Sequence, residues 1–333
     1  MTVIGNVESA TVEADPDRYR KMAPDEPERT GELVCRPAEV GDLEKIVAIE
    51  SAVFSEPYQF LMLYQLWPMY KAGWTVAEVD GEFVGYALFL QSADTALLLT
   101  YAVADSFRKF GHGKRILQNA MRHRGTARRR LVYAPPRCKD PATARMLERL
   151  GFRGIDDRRN FLHSDSADYE EIRDGNLTCR RARYSDLARI ADLEAAVFED
   201  PYRFLMLYPL WFLHRRLWTV AEIDGRLVGY ALLLEERGEA LIFTFAVAER
   251  CRRLGYGEIV LRHAIARSRS AGTESITLTV KPANTTASRR FERVGFVKTG
   301  AEEDYFGPGE DRHLYSIDLT SNISAPPAAR AAL

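Results

Sequence analysis

Cysteine and histidine are scarce in this chain, and neither residue is grouped as a metal site requires. The 333 residues include four cysteines and six histidines, with no CxxC pair, no HxxxH pair and no mixed cluster. A zinc site and a disulfide scaffold both need such groupings. We therefore expect no metal ion, reduced thiols and a cytoplasmic protein.

An excess of charge of one sign and long hydrophobic runs are also missing. The chain carries 46 Lys and Arg residues against 47 Asp and Glu residues, a net charge of −1, so no basic field is available to attract nucleic acid or an anionic membrane. The longest apolar stretches, such as 241–248, are far shorter than the ~20 residues of a membrane-spanning helix. No secretory signal is visible near Met1. We expect neither nucleic acid nor a membrane as a partner.

What the sequence does contain is an internal repeat. A shift of 144 residues aligns Trp74 with Trp218 and Gly111 with Gly255 without a gap. Within 51–90, 25 of the 40 positions are identical to their counterparts. A period of this length indicates a domain rather than a solenoid unit. The chain is therefore predicted to be a tandem of one fold.

Composition indicates the boundaries of the tandem. The first 32 residues are polar and punctuated by proline, the stretch between the repeats is rich in acidic, Ser, Gly and Asn residues, and the last residues are small or proline. Such segments favour disorder or a linker. We predict a disordered leader over 1–32, a first domain over 33–163, a linker over 164–176, a second domain over 177–320 and a disordered tail over 321–333.

Both repeats show the same order of predicted elements, and that order defines the fold class. A short strand precedes two helical segments, a pair of strands, a further strand, a basic loop and a helix, and a strand and a helix follow. The paired strands are joined at Asp80-Gly81 and Asp224-Gly225, dipeptides typical of two-residue hairpins. Two terminal strands complete the second repeat. The predicted class is α/β (α+β), each domain being a twisted, mostly antiparallel mixed sheet flanked by helices.

The basic loop after the fourth strand is the segment most suited to chemistry. A strand-to-helix turn directs unpaired backbone N–H groups and the positive end of the helix dipole at one point, where an anion fits. Glycines let a diphosphate approach the backbone, and Arg or Lys adds charged hydrogen bonds. The alternative, a tight turn on a solvated basic face, is disfavoured because both repeats keep the spacing. The residues are Val103, Arg108, Lys109, Gly111, His112 and Gly113, and Val247, Arg252, Arg253, Leu254, Gly255, Tyr256 and Gly257.

These loops resemble the acetyl-CoA pyrophosphate loop of the GNAT family of N-acetyltransferases, V.....[RQ]xxGxG. The segment from Leu278 to Phe296 is similar to a second signature of that family, and the resemblance covers roughly 35–162 and 179–319. It implies acetyl-CoA as cosubstrate, with Asn284 bonded to the pantetheine arm. It also implies that a backbone N–H at Val247 or a neighbour donates to the acetyl carbonyl. Within the family the likeness is greatest to the N-terminal protein acetyltransferases.

Proton transfer is harder to assign, because this chain departs from the family pattern. The fourth strand carries Leu97 and Leu241 where many members have a glutamate base. By the resemblance, Asp200 lies next to the substrate amine and Tyr305 on the substrate side, and these two are the candidate catalytic residues. The alternatives are a helix cap or turn for Asp200 and strand packing for Tyr305, and a base acting through water would leave no trace in the sequence.

An aromatic segment shared by both repeats is predicted to line the acceptor side. Tyr202 and Tyr208 are the candidate substrate residues of the second repeat, because a buried hydroxyl needs a partner. Glu56 is the counterpart of Asp200 in the first repeat and is a further candidate. Core packing is the alternative at this helical spacing. His112 is expected to face solvent or a phosphate rather than to act in catalysis.

The second repeat is predicted to be the catalytic one. Pro135 and Pro136 remove ladder donors from the fifth strand of the first repeat, and Asp140 introduces a charge at the position of Asn284. The first domain is therefore predicted to be degenerate in chemistry, with a loop still able to bind CoA.

The predicted function is acetyl-CoA-dependent N-acetylation of a primary amine, on a small molecule or a peptide, by direct attack on the thioester. Two alternatives remain open, namely a non-catalytic CoA-binding scaffold and another reaction of an acyl-CoA on the same fold. The sequence does not indicate an oligomeric state, and the tandem itself can act as a pseudo-dimer.

Overall fold

The computed structural model describes residues 31–92, 94–123, 129–134, 140–155, 172–306 and 309–320. Most of the predicted leader, the whole predicted tail and residues 164–171 of the predicted linker lie outside these ranges, as do Pro135 and Pro136.

The first repeat forms a six-stranded sheet with helices on both faces. Helices α1 and α2 pack on one face and α3 and α4 on the other. The elements are β1 (Leu33–Pro37), α1 (Leu43–Val53), α2 (Phe60–Tyr70), β2 (Trp74–Val79), β3 (Glu82–Gln91), β4 (Thr95–Val103), α3 (His112–His123), β5 (Arg130–Tyr133), α4 (Pro141–Arg149) and β6 (Arg153–Gly154).

The second repeat has the same order of elements around an eight-stranded sheet. Its elements are β7 (Ile172–Asp174), β8 (Leu177–Arg181), α5 (Asp186–Val197), α6 (Phe204–His214), β9 (Thr219–Ile223), β10 (Arg226–Glu236), β11 (Glu239–Val247), α7 (Tyr256–Ser270), β12 (Ser275–Val280), α8 (Thr285–Arg293), β13 (Val297–Glu302) and β14 (Arg312–Asp318). Because β7 pairs with β8, Ile172–Asp174 belongs to this sheet although the sequence placed it in the linker.

The two sheets confirm the predicted fold class. The strand orders are β1-β2-β3-β4-β5-β6 and β13-β14-β12-β11-β10-β9-β8-β7. Pairing is parallel for β4 with β5, β5 with β6 and β11 with β12, and antiparallel for the other pairs in the described sheets. Each domain is therefore a mostly antiparallel mixed sheet flanked by helices.

Both predicted hairpins are present with the expected turn. Asp80 and Gly81 have φ of 52° and 80°, and Asp224 and Gly225 have φ of 50° and 73°. Two consecutive residues with positive φ define the type I′ turn that matches the twist of a two-residue hairpin. The Asp-Gly dipeptide supplies this geometry because Gly, and more than most residues Asp, tolerates the left-handed region.

The two repeats share one hydrophobic core. Ile46 and Leu63 of the first repeat belong to the same buried cluster as Ile190 and Leu207 of the second, so the faces of α1 and α2 meet those of α5 and α6. Burial of this apolar surface is the main force that joins the domains. In each repeat, part of the apolar face of the helix pair is covered by the helices of the other repeat.

Two polar contacts fix the relative position of the repeats inside that core. The Tyr202 hydroxyl donates to Gln65 Oε1, and the Tyr70 oxygen lies 2.5 Å from His214 Nε2. His214 Nδ1 accepts from the backbone N–H of Glu235, and burial lowers the pKa of His214 to about 3. The neutral ring therefore carries its proton on Nε2 and donates it to Tyr70.

Each repeat also buries one glutamate beneath the helix pair. Glu194 is 1% exposed, and its carboxylate accepts from the Tyr230 hydroxyl at 2.5 Å, the Thr244 hydroxyl at 2.8 Å and the backbone N–H of Tyr202 at 3.2 Å. Glu50 is held in the same way in the first repeat, by Tyr86, Thr100 and the N–H of Tyr58. The carboxylate thus ties α5 to the sheet and to the turn that begins α6.

The buried glutamate makes stability depend on pH. Burial raises the pKa of Glu194 from 4.5 to about 7, so between these values the folded chain holds a proton that the unfolded chain has released. We predict that Glu194 by itself lowers the free energy of unfolding by on the order of 3 kcal/mol as pH rises from about 4.5 to 7. His214, whose pKa burial lowers from 6.5 to about 3, acts in the opposite direction below pH 6.5. In Glu194→Gln the contribution of Glu194 should be lost, because an amide does not ionise, so the free energy of unfolding should rise with pH relative to that of the unmodified chain.

Urea denaturation at pH 5 and pH 8 measures this difference. Glu303→Gln, which changes an exposed carboxylate, is the control and should keep the pH dependence of the unmodified chain. An unchanged pH dependence in Glu194→Gln would contradict the assignment.

Candidate active site

The two glycine loops adopt the same conformation. Lys109 and Gly111 have φ of 73° and 79°, and Arg253 and Gly255 have φ of 67° and 81°. A Cβ built at Gly111 or Gly255 would meet no protein atom within 4 Å, so the space above each glycine is open. The backbone angle requires glycine here, and the open space leaves room for a ligand to approach the main chain.

The start of helix α7 presents backbone donors at this opening. Inside the helix, the first bonds run from the N–H groups of Glu258 and Ile259 to the Gly255 carbonyl. The N–H groups of Tyr256 and Gly257, which come before them, belong to the unpaired first turn of the helix. Together with the helix dipole, they form a site suited to the diphosphate of CoA.

In the first repeat, the predicted loop residues line one cavity of about 780 Å³. Strand β4, the loop and helix α4 form its walls, and the residues predicted from the sequence all contact it, namely Val103, Arg108, Lys109, Gly111, His112 and Gly113. The structure therefore brings this set together as the sequence predicted, and the cavity is large enough for part of an acetyl-CoA molecule.

His112 is not solvent-facing, so one of the two settings predicted for it is wrong. It is 6% exposed, and its ring lies 6.3 Å from that of Phe107 and 6.0 Å from that of Phe110. No protein group within the described ranges bonds to either ring nitrogen. Burial, with Arg115 nearby, lowers the pKa of His112, so the ring is neutral where it borders the cavity.

The loop arginines are used partly to hold the strand ends. Arg108 Nε donates to the Val103 carbonyl at 3.2 Å, and Arg252 Nε lies 3.5 Å from the Val247 carbonyl. Arg108 also forms an ion pair with Asp105 at 2.9 Å. Each guanidinium therefore already makes a contact inside the protein. An anion that binds there as predicted would share the guanidinium with that contact.

A second arginine, missed by the sequence analysis, stands against the loop of the second repeat. A Cβ at Gly257 would lie 2.7 Å from Arg290 Nη1, so this half-buried guanidinium rests directly on the glycine. Burial lowers the pKa of Arg290, with Arg293 and Arg252 acting in the same direction and the nearby Glu258 carboxylate opposing them. Among the described residues, no carboxylate is close enough to form an ion pair with Arg290. The counterpart in the first repeat is Met146, which has no charge.

Asn284 and Asp140 occupy equivalent helix N-caps. The Asn284 side chain accepts from the N–H of Ala287 at 3.2 Å, and Asp140 accepts from the N–H groups of Ala142 and Thr143 at 3.1 and 2.9 Å. A bond from the Thr143 hydroxyl at 2.7 Å, together with these two backbone bonds, lowers the pKa of Asp140. The pantetheine contact of Asn284 stays a prediction. It would have to be made by the side-chain NH2 group, because the side-chain oxygen caps the helix.

The sheet of the second repeat opens beside the site. Strands β11 and β12 pair from Glu239 to Leu241 and then part, and β11 carries a bulge opposite Leu232 and Leu233. Beyond Leu241, the edge of β11 that faces β12 therefore carries backbone groups that this ladder does not pair. Val247, the position named for the N–H donor, lies at the far end of that stretch.

A second cavity, of about 550 Å³, lies where β11 and β12 part. Leu241, Phe243, Thr277 and Thr279 of these strands contact it, and Tyr305 and Phe306 close one side. Helix α2 of the first repeat closes another side. Burial raises the pKa of Tyr305, with Glu302 and Tyr64 adding to the effect, so its phenol stays protonated at neutral pH.

The other candidate residues lie outside the lining of this cavity. Tyr202 is buried, with its ring stacked on that of Phe243 at 4.6 Å, and Tyr208 is 1% exposed within the shared core. Asp200 and Glu56 are exposed in the turns before α6 and α2. Their proposed roles with the substrate stay predictions.

Sequence reasoning missed the contribution of the first repeat to this cavity. Tyr64 belongs to α2 of the first repeat, but its ring lies 6.3 Å from Tyr305 and 5.6 Å from Phe306 in the second repeat. Nothing in the sequence marks this contact, because it joins residues more than two hundred positions apart. The burial of Glu194, in contrast, could have been predicted from the sequence, because this residue lies on the apolar face of α5 with Leu187 and Ile190.

Among the described residues, no helix combines the length and the hydropathy needed to cross a membrane. Nor do the His, Cys, Asp and Glu side chains of these residues form a group of three or more that could hold a metal ion.

Comparison with known proteins gives one family match in each repeat. The model of the acetyltransferase (GNAT) family matches residues 43–152 and 185–296. An uncharacterized N-acetyltransferase of Methanocaldococcus jannaschii is 32% identical over 151 residues, which cover 45% of this chain and 96% of that protein. An N-alpha-acetyltransferase of Sulfurisphaera tokodaii is 25% identical over 153 residues, which cover 42% of this chain and 92% of that protein.

Solved structures match over similar lengths. Ard1 from Thermoplasma volcanium has a TM-score of 0.40 at 23% identity and covers 43% of this chain and 97% of its own. The ribosomal-protein-S18-alanine N-acetyltransferase from Escherichia coli has a TM-score of 0.40 at 21% identity, covering 45% and 98%. The two family matches together span more than half of the chain. The chain therefore belongs to the GNAT acetyltransferase family, as a tandem of two such domains, and is an acyltransferase with acetyl-CoA as its cosubstrate.

Proposed function

We propose that the second repeat transfers the acetyl group of acetyl-CoA to a primary amine of a small molecule or peptide, and that the first repeat performs no chemistry. The observation that carries this proposal is the cavity at the parting of β11 and β12. Leu241, Thr279 and the protonated Tyr305 line it. The far end of β11, at Val247, leads into the glycine loop that we expect to hold the CoA diphosphate.

Arg290 supports the choice of the second repeat. Its guanidinium lies on Gly257 at the start of α7, near Arg252, and within the described residues it forms no ion pair, although the Glu258 carboxylate is close enough to affect its pKa. A half-buried cation in such a place is stabilised by an anion. Met146 offers nothing equivalent in the first repeat, so the diphosphate is expected to bind more tightly to the second.

The reaction requires two proton movements. Acetyl transfer forms the bond from nitrogen to the acetyl carbon and breaks the bond from that carbon to sulfur, so the ammonium must lose a proton and the thiolate must gain one. We assign the donor role to Tyr305, whose phenol is protonated at the cavity wall. Unpaired N–H groups of β11 beyond Leu241 are suited to the carbonyl oxygen.

For the proton acceptor we propose Asp200. Burial raises the pKa of Tyr202, and the charge of Asp200, two residues earlier in the chain, adds to the effect. The Tyr202 ring stacks on that of Phe243, which lines the cavity. Asp200 is exposed, and in this proposal it acts on the ammonium from the solvent side, through water. Leu241 cannot take this role because its side chain has no titratable group.

Asp200→Asn is expected to lower kcat/KM for the amine by about 100-fold, at the lower end of general-base contributions. Mass spectrometry of the products from acetyl-CoA and a panel of amines should show the gain of one acetyl group with the unmodified chain. Asp192→Asn removes another exposed carboxylate of the same repeat and should retain full activity. CoA binding without an acetylated product from any amine would refute the proposed function.

Gly255→Val and Gly111→Val test which repeat carries the reaction. A β-branched residue at φ near +80° costs about 1 to 2 kcal/mol or forces the loop to move, so acetyl-CoA affinity at that loop should fall on the order of 10-fold. Turnover should fall in Gly255→Val and stay near the original value in Gly111→Val, as measured by thiol release. The reverse pattern would assign the chemistry to the first repeat.

Tyr305→Phe is expected to lower kcat by about 10-fold with little change in KM. The loss is smaller than usual for general acids because a thiol of pKa about 8.5 leaves readily without help. Since burial raises the pKa of Tyr305 from its ordinary value, the loss should be the same from about pH 6 to 9. Tyr315→Phe, which changes a tyrosine in the core of the second repeat that does not line the cavity, is the control. A rise in KM with unchanged kcat would show that Tyr305 lines the cavity without donating a proton.

A further inference from the structure

The cavity of the second repeat is built by both repeats. Five of its residues, Gln65, Pro68, Met69, Lys71 and Ala72, belong to α2 of the first repeat and the turn that follows it. They face strands β11 and β12 across the opening. The first repeat therefore supplies a wall of a site whose sheet and glycine loop belong to the second.

Helix α2 is held rigidly in this position. The Tyr70 oxygen accepts from His214 at 2.5 Å, Gln65 accepts from the Tyr202 hydroxyl, and the Tyr64 ring packs edge-on against Phe306 at 5.6 Å. All three contacts cross between the repeats and lie along one helix. A wall fixed at three points can select ligands by shape, because adapting to a poor fit would break buried contacts.

The wall that the second repeat gives to the first carries a larger side chain. Phe212 is the counterpart of Pro68, and its ring packs on the Arg130 guanidinium at 5.8 Å, at the start of β5. Strand β4 also contacts helix α6. Pro68 has the smaller side chain and is exposed where it lines the second-repeat cavity. The two repeats therefore differ in the bulk of the side chain at this position.

The lining points to a compact amine with an apolar or aromatic body. Met69, Phe243, Tyr305 and Phe306 form apolar and aromatic walls. The carboxylates of Glu236 and Glu239 also line the cavity, together with the cations Lys71 and Arg237, and Arg237 Nε lies 3.8 Å from Glu236 Oε1. An ammonium is attracted by aromatic faces and by carboxylates, and Glu239 is the candidate carboxylate for it. A volume of about 550 Å³ is in the range of small-molecule sites, and α2 forms one of its walls.

We propose that the first repeat serves as the acceptor-selecting wall of the second, and that α2 and the Lys71–Gly73 turn restrict the acceptor to a compact aromatic or apolar amine. This inference rests on the proposed function, since it assigns the acceptor of that same site. It also gives a physical reason for the duplication, because the second copy of the fold supplies a surface that a single domain lacks.

Ala72→Trp in the full chain tests the wall directly. Ala72 is exposed at the cavity mouth, so an indole there should obstruct the acceptor without disturbing the core. We expect KM for 2-phenylethylamine to rise at least 10-fold, with KM for acetyl-CoA and the melting temperature unchanged. The control is Arg216→Trp, at the counterpart of Ala72 in the second repeat and also exposed, which should leave all three values unchanged.

The acceptor class is tested with the unmodified chain. The value of kcat/KM for 2-phenylethylamine should exceed that for a decapeptide with a free N-terminus. Three outcomes would each overturn the inference while leaving N-acetylation intact. They are a preference for the decapeptide, an unaltered KM for 2-phenylethylamine in Ala72→Trp, and a rise of that KM in Arg216→Trp instead. Absence of any acetylated product from the unmodified chain would overturn both the inference and the proposed function.

Discussion

The packing of two helix pairs against each other is the interaction on which the rest of this structure depends. Helices α1 and α2 bury their apolar faces on α5 and α6 in one continuous cluster. The bonds of Tyr70 to His214 and of Tyr202 to Gln65 then fix the orientation, because an unpaired polar group in that core would be costly. Buried Glu50 and Glu194 anchor the same helices to their sheets. The acceptor cavity results from this arrangement, because α2 of the first repeat is held over the sheet of the second.

A duplicated fold with two nearly equal loops has become asymmetric through a few side chains. Arg290 stands on the loop of the second repeat, whereas its counterpart in the first is Met146, and Pro68 lines the second-repeat cavity, whereas its counterpart Phe212 packs on Arg130. The first difference concerns an anion and the second the volume available to an acceptor. Both favour chemistry in the second repeat. The first repeat keeps its loop geometry and a cavity beside it.

The sequence was sufficient to predict features that depend on residues close to one another along the chain. The tandem, the order of elements, the Asp-Gly hairpins and the glycine loops all follow from short-range patterns, and the structure confirms their placement. Contacts between the repeats, such as Tyr64 with Tyr305, depend on how two surfaces fit and leave no periodic signal. His112 was expected next to solvent or phosphate, but the aromatic rings that bury it are set by the fold of the loop. The role of Arg290 likewise depends on the distance between two helices.

A crystal structure of the full chain with CoA and 2-phenylethylamine tests the central claim most directly. The account predicts the diphosphate against Gly255 and Gly257 beside Arg290, the thiol between β11 and β12, and the amine between Met69 of the first repeat and Tyr305 of the second. Density for the amine in the first repeat, or on a surface of the second repeat that α2 does not touch, would contradict it.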